Sequence, residues 1–171
     1  AGSSNKLSSQ NTAVGAFALT NHEGSSGSNN TAIGYFALGD DSIGLRNTAL
    51  GSLTFTDNLQ GLNNTGIGYG AGRFNLGNFN FFGGSQSGTG SRTGSASISF
   101  NTGGFNTGIG ERTLYKLANG DSNVAIGSLA LYSDSSGNYN TAIGVETSNY
   151  GDTASYVTSI GYRSLSFNNR S

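Results

Sequence analysis

The chain has 171 residues, with 29 glycines, no cysteine, no proline, and a formal net charge of −1. This length is typical of one domain, and the absence of cysteine excludes a disulfide framework and thiolate metal sites. Charged residues make up only 10% of the chain, and the net charge of −1 leaves no electrostatic footprint for nucleic acid. No window approaches the roughly 20 apolar residues of a membrane-spanning helix.

One short phrase recurs along almost the whole chain, and we number each copy from its asparagine, which is repeat position 1. The copies start at Asn11, Asn30, Asn47, Asn64, Asn106, Asn123 and Asn140, with a variant start at Val157. The intervals between these starts are 19, 17, 17, 42, 17, 17 and 17. A fixed period near 17 predicts a solenoid with one coil per copy. The long gap holds a degenerate copy near Phe81 and an insertion.

Repeat positions 2 to 4 predict a short strand in every copy. Position 2 is threonine except at Val124, and position 4 is always aliphatic, as at Ile33 and Ile126. Position 3 between them is alanine, glycine or serine. This alternation predicts that positions 2 and 4 share one face of a strand, directed into the interior.

Position 5 is glycine in every copy, and position 9 is mostly leucine or phenylalanine. Glycine is the residue best suited to a positive φ or to a close approach of backbones. Buried residues are expected at even positions before this glycine and at odd positions after it. A straight strand cannot change faces in this way, so we predict a corner or bulge at position 5 or 6. The residues expected to build the repeat include Ile33, Gly34, Leu38, Ile67, Gly68, Ile126, Gly127, Leu131, Ile143 and Gly144.

These columns predict an all-β fold, a parallel β-roll or β-solenoid of about eight 17-residue coils with one inserted region. Coil repeats would occupy residues 1–83 and 106–171, and residues 84–105 would form an inserted loop or small knob. Each coil offers about two large aliphatic side chains, which is little against the entropy lost on ordering the coil. A homotrimer, intertwined or side by side, would bury a further face of every coil.

The insertion is the break in the array, and six phenylalanines occur between Phe74 and Phe105, both included. Insertions in solenoids usually form loops on one face, often the binding face. One hypothesis is an aromatic platform for a sugar or a protein receptor; the alternative is a local core or packing at a trimer axis. The candidate ligand-binding residues are Phe79, Phe81, Phe82, Arg92, Phe100 and Phe105.

Catalytic and metal sites are not predicted. His22 is the only histidine and lies in a turn-like segment, and the carboxylates are too scattered to suggest a glycosidase pair. Asp40 and Asp41 lack the surrounding nonapeptide of calcium-binding β-rolls, so we predict no metal and no cofactor.

Two columns raise separate possibilities. A flat threonine ladder is one way in which solenoids bind ice, but Val124 and the shared parity with position 4 favour an inward-facing threonine column.

The asparagine column at position 1 predicts a stacked turn residue that hydrogen-bonds backbone groups from coil to coil.

The phrase "NTAIGYFAL" with its Gly/Asn-rich spacer resembles the heads of trimeric autotransporter adhesins and the fibre and tail-spike repeats of phages and bacteria. The resemblance covers about four-fifths of the chain; the 17-residue period is longer than in the adhesin heads, and residues 84–105 fit neither pattern. It implies a trimeric, extracellular protein on a cell surface or a virion fibre. The expected function is a non-enzymatic fibre or adhesin tip, with turns and the insertion binding a cell-surface glycan or protein. The alternatives are a purely structural shaft segment and a monomeric ice-binding solenoid.

Overall fold

The structure is a computed structural model that describes residues 10–21, 29–40, 43–58, 60–93, 97–149 and 153–166; for residues 91–93 and 97–99 it describes the backbone alone. The described part contains strands and turns but no helix. The strands are β1 Thr12–Val14, β2 Thr31–Ile33, β3 Thr48–Leu50, β4 Thr65–Ile67, β5 Phe81–Gly83, β6 Ser91–Thr93, β7 Ser97–Ser99, β8 Thr107–Ile109, β9 Val124–Ile126, β10 Thr141–Ile143 and β11 Thr158–Ile160.

Nine of these strands form one parallel sheet in the order β1-β2-β3-β4-β5-β8-β9-β10-β11. Each strand pairs in register with the same repeat positions of the next, so that Thr31 lies beside Thr48 and Ile33 beside Leu50. Parallel neighbours in chain order need one full turn of chain between them, which is the geometry of a solenoid. The predicted all-β solenoid is therefore confirmed.

The long gap in the array divides into two unequal coils. The degenerate copy forms β5, and its asparagine, Asn80, lies 16 positions after Asn64 and 26 positions before Asn106. The extra residues of the second coil form the antiparallel hairpin β6–β7. The coil pattern continues to Gly90 and resumes at Asn101, which bridges to Asn75 of the preceding coil. The inserted element is thus shorter than the predicted segment 84–105, and β5 joins β8 directly in the sheet.

The direction predicted for positions 2 and 4 is wrong. Position 3 points into the core, where Ala32, Ala49 and Ala125 are fully buried, whereas Ile33 on the same strand as Ala32 is 39% exposed. The position 4 residues Ile67 and Ile143 are likewise exposed, and Ile126 is half-buried. The threonine column faces outward with them.

The reason is the narrow interior of the coil. Position 3 packs against position 9, where Leu38 and Leu131 are buried as predicted. The large Phe55 at position 9 of the β3 coil reaches the next coil, where position 3 is glycine: a Cβ built on Gly66 would lie 2.7 Å from Phe55 Cε2. An isoleucine facing this interior would overfill it, so the small residue faces in and the aliphatic residue faces out.

The position 5 glycine forms the predicted corner and also brings successive coils together. Gly127 has a φ of +121°, and a Cβ built on it would lie 2.5 Å from the carbonyl oxygen of Gly144 in the next coil. Both the backbone conformation and the close approach require glycine.

A buried asparagine ladder connects the coils, as the sequence predicted. The Oδ1 atom at position 1 accepts a hydrogen bond from the position 1 amide of the next coil, at 2.8–3.0 Å from Asn11 through to Val157. The Nδ2 atom donates to a carbonyl in the turn that leads to the next asparagine, for example from Asn123 to Gly137 at 2.8 Å. Each rung therefore satisfies two buried backbone groups.

Three further residues of each coil are left-handed: the residue before the asparagine, position 7 and position 9. Among the residues that the structure describes, they include 24 non-glycine residues, for example Leu53 with φ +58° and Leu129 with φ +59°. Such conformations are unfavourable for side chains with a Cβ. Their recurrence indicates that the coil geometry dictates these positions, whichever residue occupies them.

Candidate functional site

The outward side of the nine-stranded sheet is a long face, which we call the Thr–Ile face. It consists of Thr12, Val14, Thr31, Ile33, Thr48, Leu50, Thr65, Ile67, Phe81, Gly83, Thr107, Ile109, Val124, Ile126, Thr141, Ile143, Thr158 and Ile160. Exposure is highest at its ends, with 55% for Val14 and 66% for Ile160. Contiguous exposed apolar surface of this kind is rare on monomers and typical of interaction sites.

The Thr–Ile face is bordered by two flanks. The residue before each asparagine forms the leading flank, which carries the exposed aromatic residues Phe79, Phe105, Tyr139 and Tyr156. The residue after each corner glycine forms the trailing flank, which carries the exposed Tyr35, Tyr69 and Tyr162. These rings extend the apolar surface on both sides of the sheet.

Rings on the leading flank stack from coil to coil. Phe79 and Phe105 have centroids 5.0 Å apart and planes 6° apart, and Tyr139 and Tyr156 form a similar pair at 5.2 Å and 14°. The separation matches the spacing of hydrogen-bonded strands, because each ring sits at the same repeat position.

The predicted phenylalanine platform does not form as one surface. Phe82 is fully buried at position 3 of β5 and belongs to the core, so it is not available to a ligand. Phe81 lies half-buried on the Thr–Ile face, and Phe79 and Phe105 form the stacked pair on the leading flank.

The other two predicted site residues lie nearer the hairpin. Phe100 is half-buried and packs edge-on against the buried Phe74, with centroids 6.3 Å apart. Arg92 lies on β6, and its side chain is outside the described part of the chain, as are His22 and Asp41. The phenylalanines thus divide between a local core and the surface, and the two hypotheses each describe some of them.

A groove that the sequence reasoning missed lies at the base of the hairpin, and we call it the Gly70 groove. It has a volume of about 210 Å³ and is lined by Leu53, Tyr69, Gly70, Arg73, Phe74, Gln86, Thr89, Gly90 and Tyr115. The signal was present in the sequence: Gly70 stands at position 7, where the neighbouring coils carry Leu53 and Gln86.

The polar side chains of the Gly70 groove are held by the coil framework. The single hydroxyl proton of Thr89 is shared between the carbonyl oxygen of Gln86, 2.8 Å from Oγ1, and that of Gly70, 3.2 Å away. The Oε1 atom of Gln86 accepts a hydrogen bond of 2.8 Å from Arg112 Nε. Because Oε1 and the amide nitrogen belong to one planar group, the bond to Arg112 also fixes the direction in which the Gln86 amide nitrogen points.

Charges around the Gly70 groove are balanced. Arg73 Nε is 3.8 Å from Asp57 Oδ2, and the Arg73 guanidinium carbon lies 5.1 Å from the centroid of Phe74. Arg112 Nε is 4.0 Å from Glu111 Oε1. Arg73 is the one charged residue among the described residues of the groove lining, and the carboxylate of Asp57 beside it offsets its charge, so the groove carries no strong net charge.

Within the residues that the structure describes, no cluster of three or more histidine, aspartate or glutamate side chains could hold a metal ion. The same residues form no helix long and apolar enough to cross a membrane. Comparisons with protein-family models, with curated proteins and with solved structures found no match.

Proposed function

We propose that this chain is part of a non-enzymatic, homotrimeric fibre or adhesin tip that binds a cell-surface glycan or protein. The observation that carries the proposal is the Thr–Ile face, an outward column of aliphatic side chains along a rigid sheet. Burying such a face between copies supplies the apolar contact that the narrow interior of a single coil does not provide.

Size complementarity between the flanks supports a second copy of the same chain as the partner. Where the trailing flank has Tyr69, the leading flank of the same coil has Asn63, and where the leading flank has Phe79, the trailing flank has Ser85. The last coil departs from this pattern, with a ring on both flanks. In a closed ring of parallel copies, the leading flank of one protomer meets the trailing flank of the next, so in the other coils each ring packs beside a smaller residue.

Three protomers are proposed because of the resemblance to trimeric adhesin heads and fibres. Identical sites on three parallel protomers would act together, so that weak contacts give strong attachment. The β6–β7 hairpin and the outer turns supply the loop surface that recognition normally uses. An extracellular position on a cell surface or virion fibre belongs to the same proposal.

The oligomeric state tests the first part of the proposal. Light scattering of the wild-type chain at micromolar concentration is expected to give the mass of three copies. The double variant Ile109→Glu/Ile143→Glu places charges in the Thr–Ile face and is expected to be monomeric with unchanged circular dichroism. The matched control Lys116→Glu changes an exposed residue outside this face and should remain trimeric. A monomeric wild-type chain would refute the trimer.

Deleting the hairpin separates a binding tip from a purely structural shaft. Removal of the segment 91–99 returns the interval between Asn80 and Asn106 from 26 to the regular 17, so the sheet is expected to persist. Binding to receptor-bearing cells should fall sharply if the hairpin contacts the receptor. Undiminished binding would show that the hairpin is not the contact, and no binding by the wild-type chain would favour a shaft.

Ice binding is a second candidate because the threonine column faces outward. The prediction that this column faces inward had argued against ice binding. Thr31, Thr48 and Thr65 lie side by side in register on a parallel sheet. The exposed tyrosines on the flanks interrupt the flatness that an ice surface requires, which is why this candidate ranks second. Thermal hysteresis of the wild-type chain, lost in Thr48→Tyr, would support it; absence of hysteresis would remove it.

A further inference from the structure

Gly70 lacks a side chain at a repeat position where the neighbouring coils have one. Position 7 carries a side chain in the adjoining coils, as Leu53 and Gln86, and both adopt the same left-handed backbone as Gly70. Their φ values are +58° and +55°, against +62° for Gly70. The backbone conformation is therefore one that this solenoid assigns to residues with side chains, and it does not by itself require glycine.

Packing does not require glycine at this position either. A Cβ built on Gly70 would approach only Gln86 Cγ, at 3.8 Å, which is an ordinary van der Waals contact. By comparison, a Cβ on Gly127 would lie 2.5 Å from a backbone oxygen. The missing side chain at Gly70 instead leaves open the space that forms the groove.

We propose that the Gly70 groove is a subsite for one ring of a neutral saccharide, an inference that rests on the proposed receptor-binding function. Tyr69 and Tyr115 supply aromatic rings on which the apolar face of a pyranose can stack. Gln86, Thr89 and Arg73 supply the hydrogen-bonding groups that a ring of hydroxyls requires. The volume of about 210 Å³ lies below the range of about 300–1,000 Å³ for drug-sized pockets, which fits one ring.

The charges select a neutral sugar over an acidic one. In the described lining Arg73 is the one charged residue, and Asp57 lies 3.8 Å from it, so a carboxylate entering the groove would find a cation whose charge is already partly offset. Gln86 and Thr89 already have hydrogen-bond partners in the free protein. They can therefore orient a sugar without a large loss of side-chain entropy on binding.

The location of the groove connects it to the proposed assembly. Gly90 lines the groove immediately before β6, so the hairpin stands beside the bound sugar. Tyr69 belongs both to the groove and to the trailing flank, which places the groove at the border of the proposed protomer interface. A variant of Tyr69 must therefore be compared with a variant that affects the flank alone.

A glycan array followed by titration calorimetry with the best neutral glycan tests the subsite. Wild-type protein is expected to bind neutral glycans, and Gly70→Leu, which fills the groove, is expected to weaken binding by about tenfold or more. Glu146→Leu is the matched control, since it places the same side chain at the same repeat position outside the groove. It should bind within about twofold of wild type.

A second pair of variants separates sugar stacking from assembly. Tyr69 and Tyr35 occupy the same repeat position and are 52% and 51% exposed. Tyr69→Ala should weaken binding by about tenfold, whereas Tyr35→Ala should leave it unchanged, with equal effects on oligomeric mass. Thermal unfolding midpoints of all four variants check that each is folded.

The outcomes distinguish this inference from the proposed function. Unchanged glycan binding by Gly70→Leu, or binding restricted to acidic glycans, would overturn the neutral-sugar subsite. If the wild-type protein binds cells but no glycan, the receptor-binding proposal stands and the subsite falls. If it binds neither, both are refuted.

Discussion

The regular coils of β8 to β11 and the central coils of β4 and β5 use the same backbone scaffold to hold different cores. In the β9 coil of the regular region, Ala125 at position 3 faces Leu131 at position 9, and both are buried. In the β5 coil the sizes are exchanged: Phe82 stands at position 3 and Gly88 at position 9, and a Cβ on Gly88 would clash with the Phe82 ring. Volume is conserved although the residues are not.

The hydrogen-bonded ladder does not change between these two regions. Asn80 in the central region accepts from the amide of Asn106 at 2.8 Å, and Asn106 accepts from Asn123 at 2.9 Å in the regular region. The asparagine rungs therefore define the coil, while core volume can be redistributed between facing positions. The freedom to redistribute volume is what allows a hairpin and a groove in the central region without breaking the sheet.

The largest expected effect comes from the element that both regions share, the corner glycine. Gly127→Ala adds a Cβ 2.5 Å from the Gly144 carbonyl oxygen and should cost more than about 4 kcal/mol of unfolding free energy. Gly161→Ala is the matched control: its φ of +117° is similar, but nothing lies within 4 Å of its Cβ, so only backbone strain of about 1–3 kcal/mol is expected. Urea unfolding measures both, and equal losses would mean that close approach is not the cause.

The exchanged core gives the next largest effect. Phe82→Ala should cost about 3–5 kcal/mol by leaving a cavity in the central region. The double variant Phe82→Ala/Gly88→Leu restores the regular arrangement and should recover about 2 kcal/mol of that loss. Calorimetric unfolding at fixed protein concentration tests this, and failure of Gly88→Leu to rescue would contradict the exchange of volume between the two positions.

The asparagine ladder should give similar losses in both regions. Asn123→Ala leaves the amide of Asn140 and the carbonyl of Gly137 without their partners and should cost about 2–4 kcal/mol. Asn80→Ala should cost as much in the central coil. The neighbouring half-buried Ser122→Ala is the control and should be nearly neutral. A much smaller loss at Asn80 would show that the ladder does not hold the two regions equally.

The smallest effect concerns backbone strain common to all coils. Ser122 is left-handed, with φ +58°, and has a half-buried side chain. Ser122→Gly relieves the strain but adds freedom to the unfolded chain, so a gain of only about 0.5 kcal/mol is expected. Differential scanning calorimetry should show a slightly higher midpoint. A clear loss of stability would mean that the side chain contributes contacts that offset the strain.

Sequence reasoning predicted the elements whose cause is local. The 17-residue period, the strands at positions 2 to 4, the glycine corner and the asparagine ladder follow from residue types that recur at fixed spacing. The leucines at position 9, such as Leu38 and Leu131, were also assigned correctly to the interior.

The exposure of Ile33 and the burial of Phe82 could not be predicted from residue types at fixed spacing. Alternation indicates that two faces differ, but both faces of this strand are apolar, because alanine and isoleucine each suit a buried surface. The Gly70 groove was missed because a single glycine in a glycine-rich chain has many explanations. The left-handed Leu53 and Gln86 at the same repeat position show that the backbone conformation is not the reason for glycine at position 70.

The amino-acid sequence by itself determined that this protein is a stack of short parallel strands joined by glycine corners and asparagine rungs, because those features depend on backbone geometry that repeats every coil. Only the tertiary structure decided which side of each strand is buried, since that depends on the width of the coil and on the residues across it. The outward isoleucines and the open space at Gly70 follow from that width and from packing between coils, which no single repeat contains.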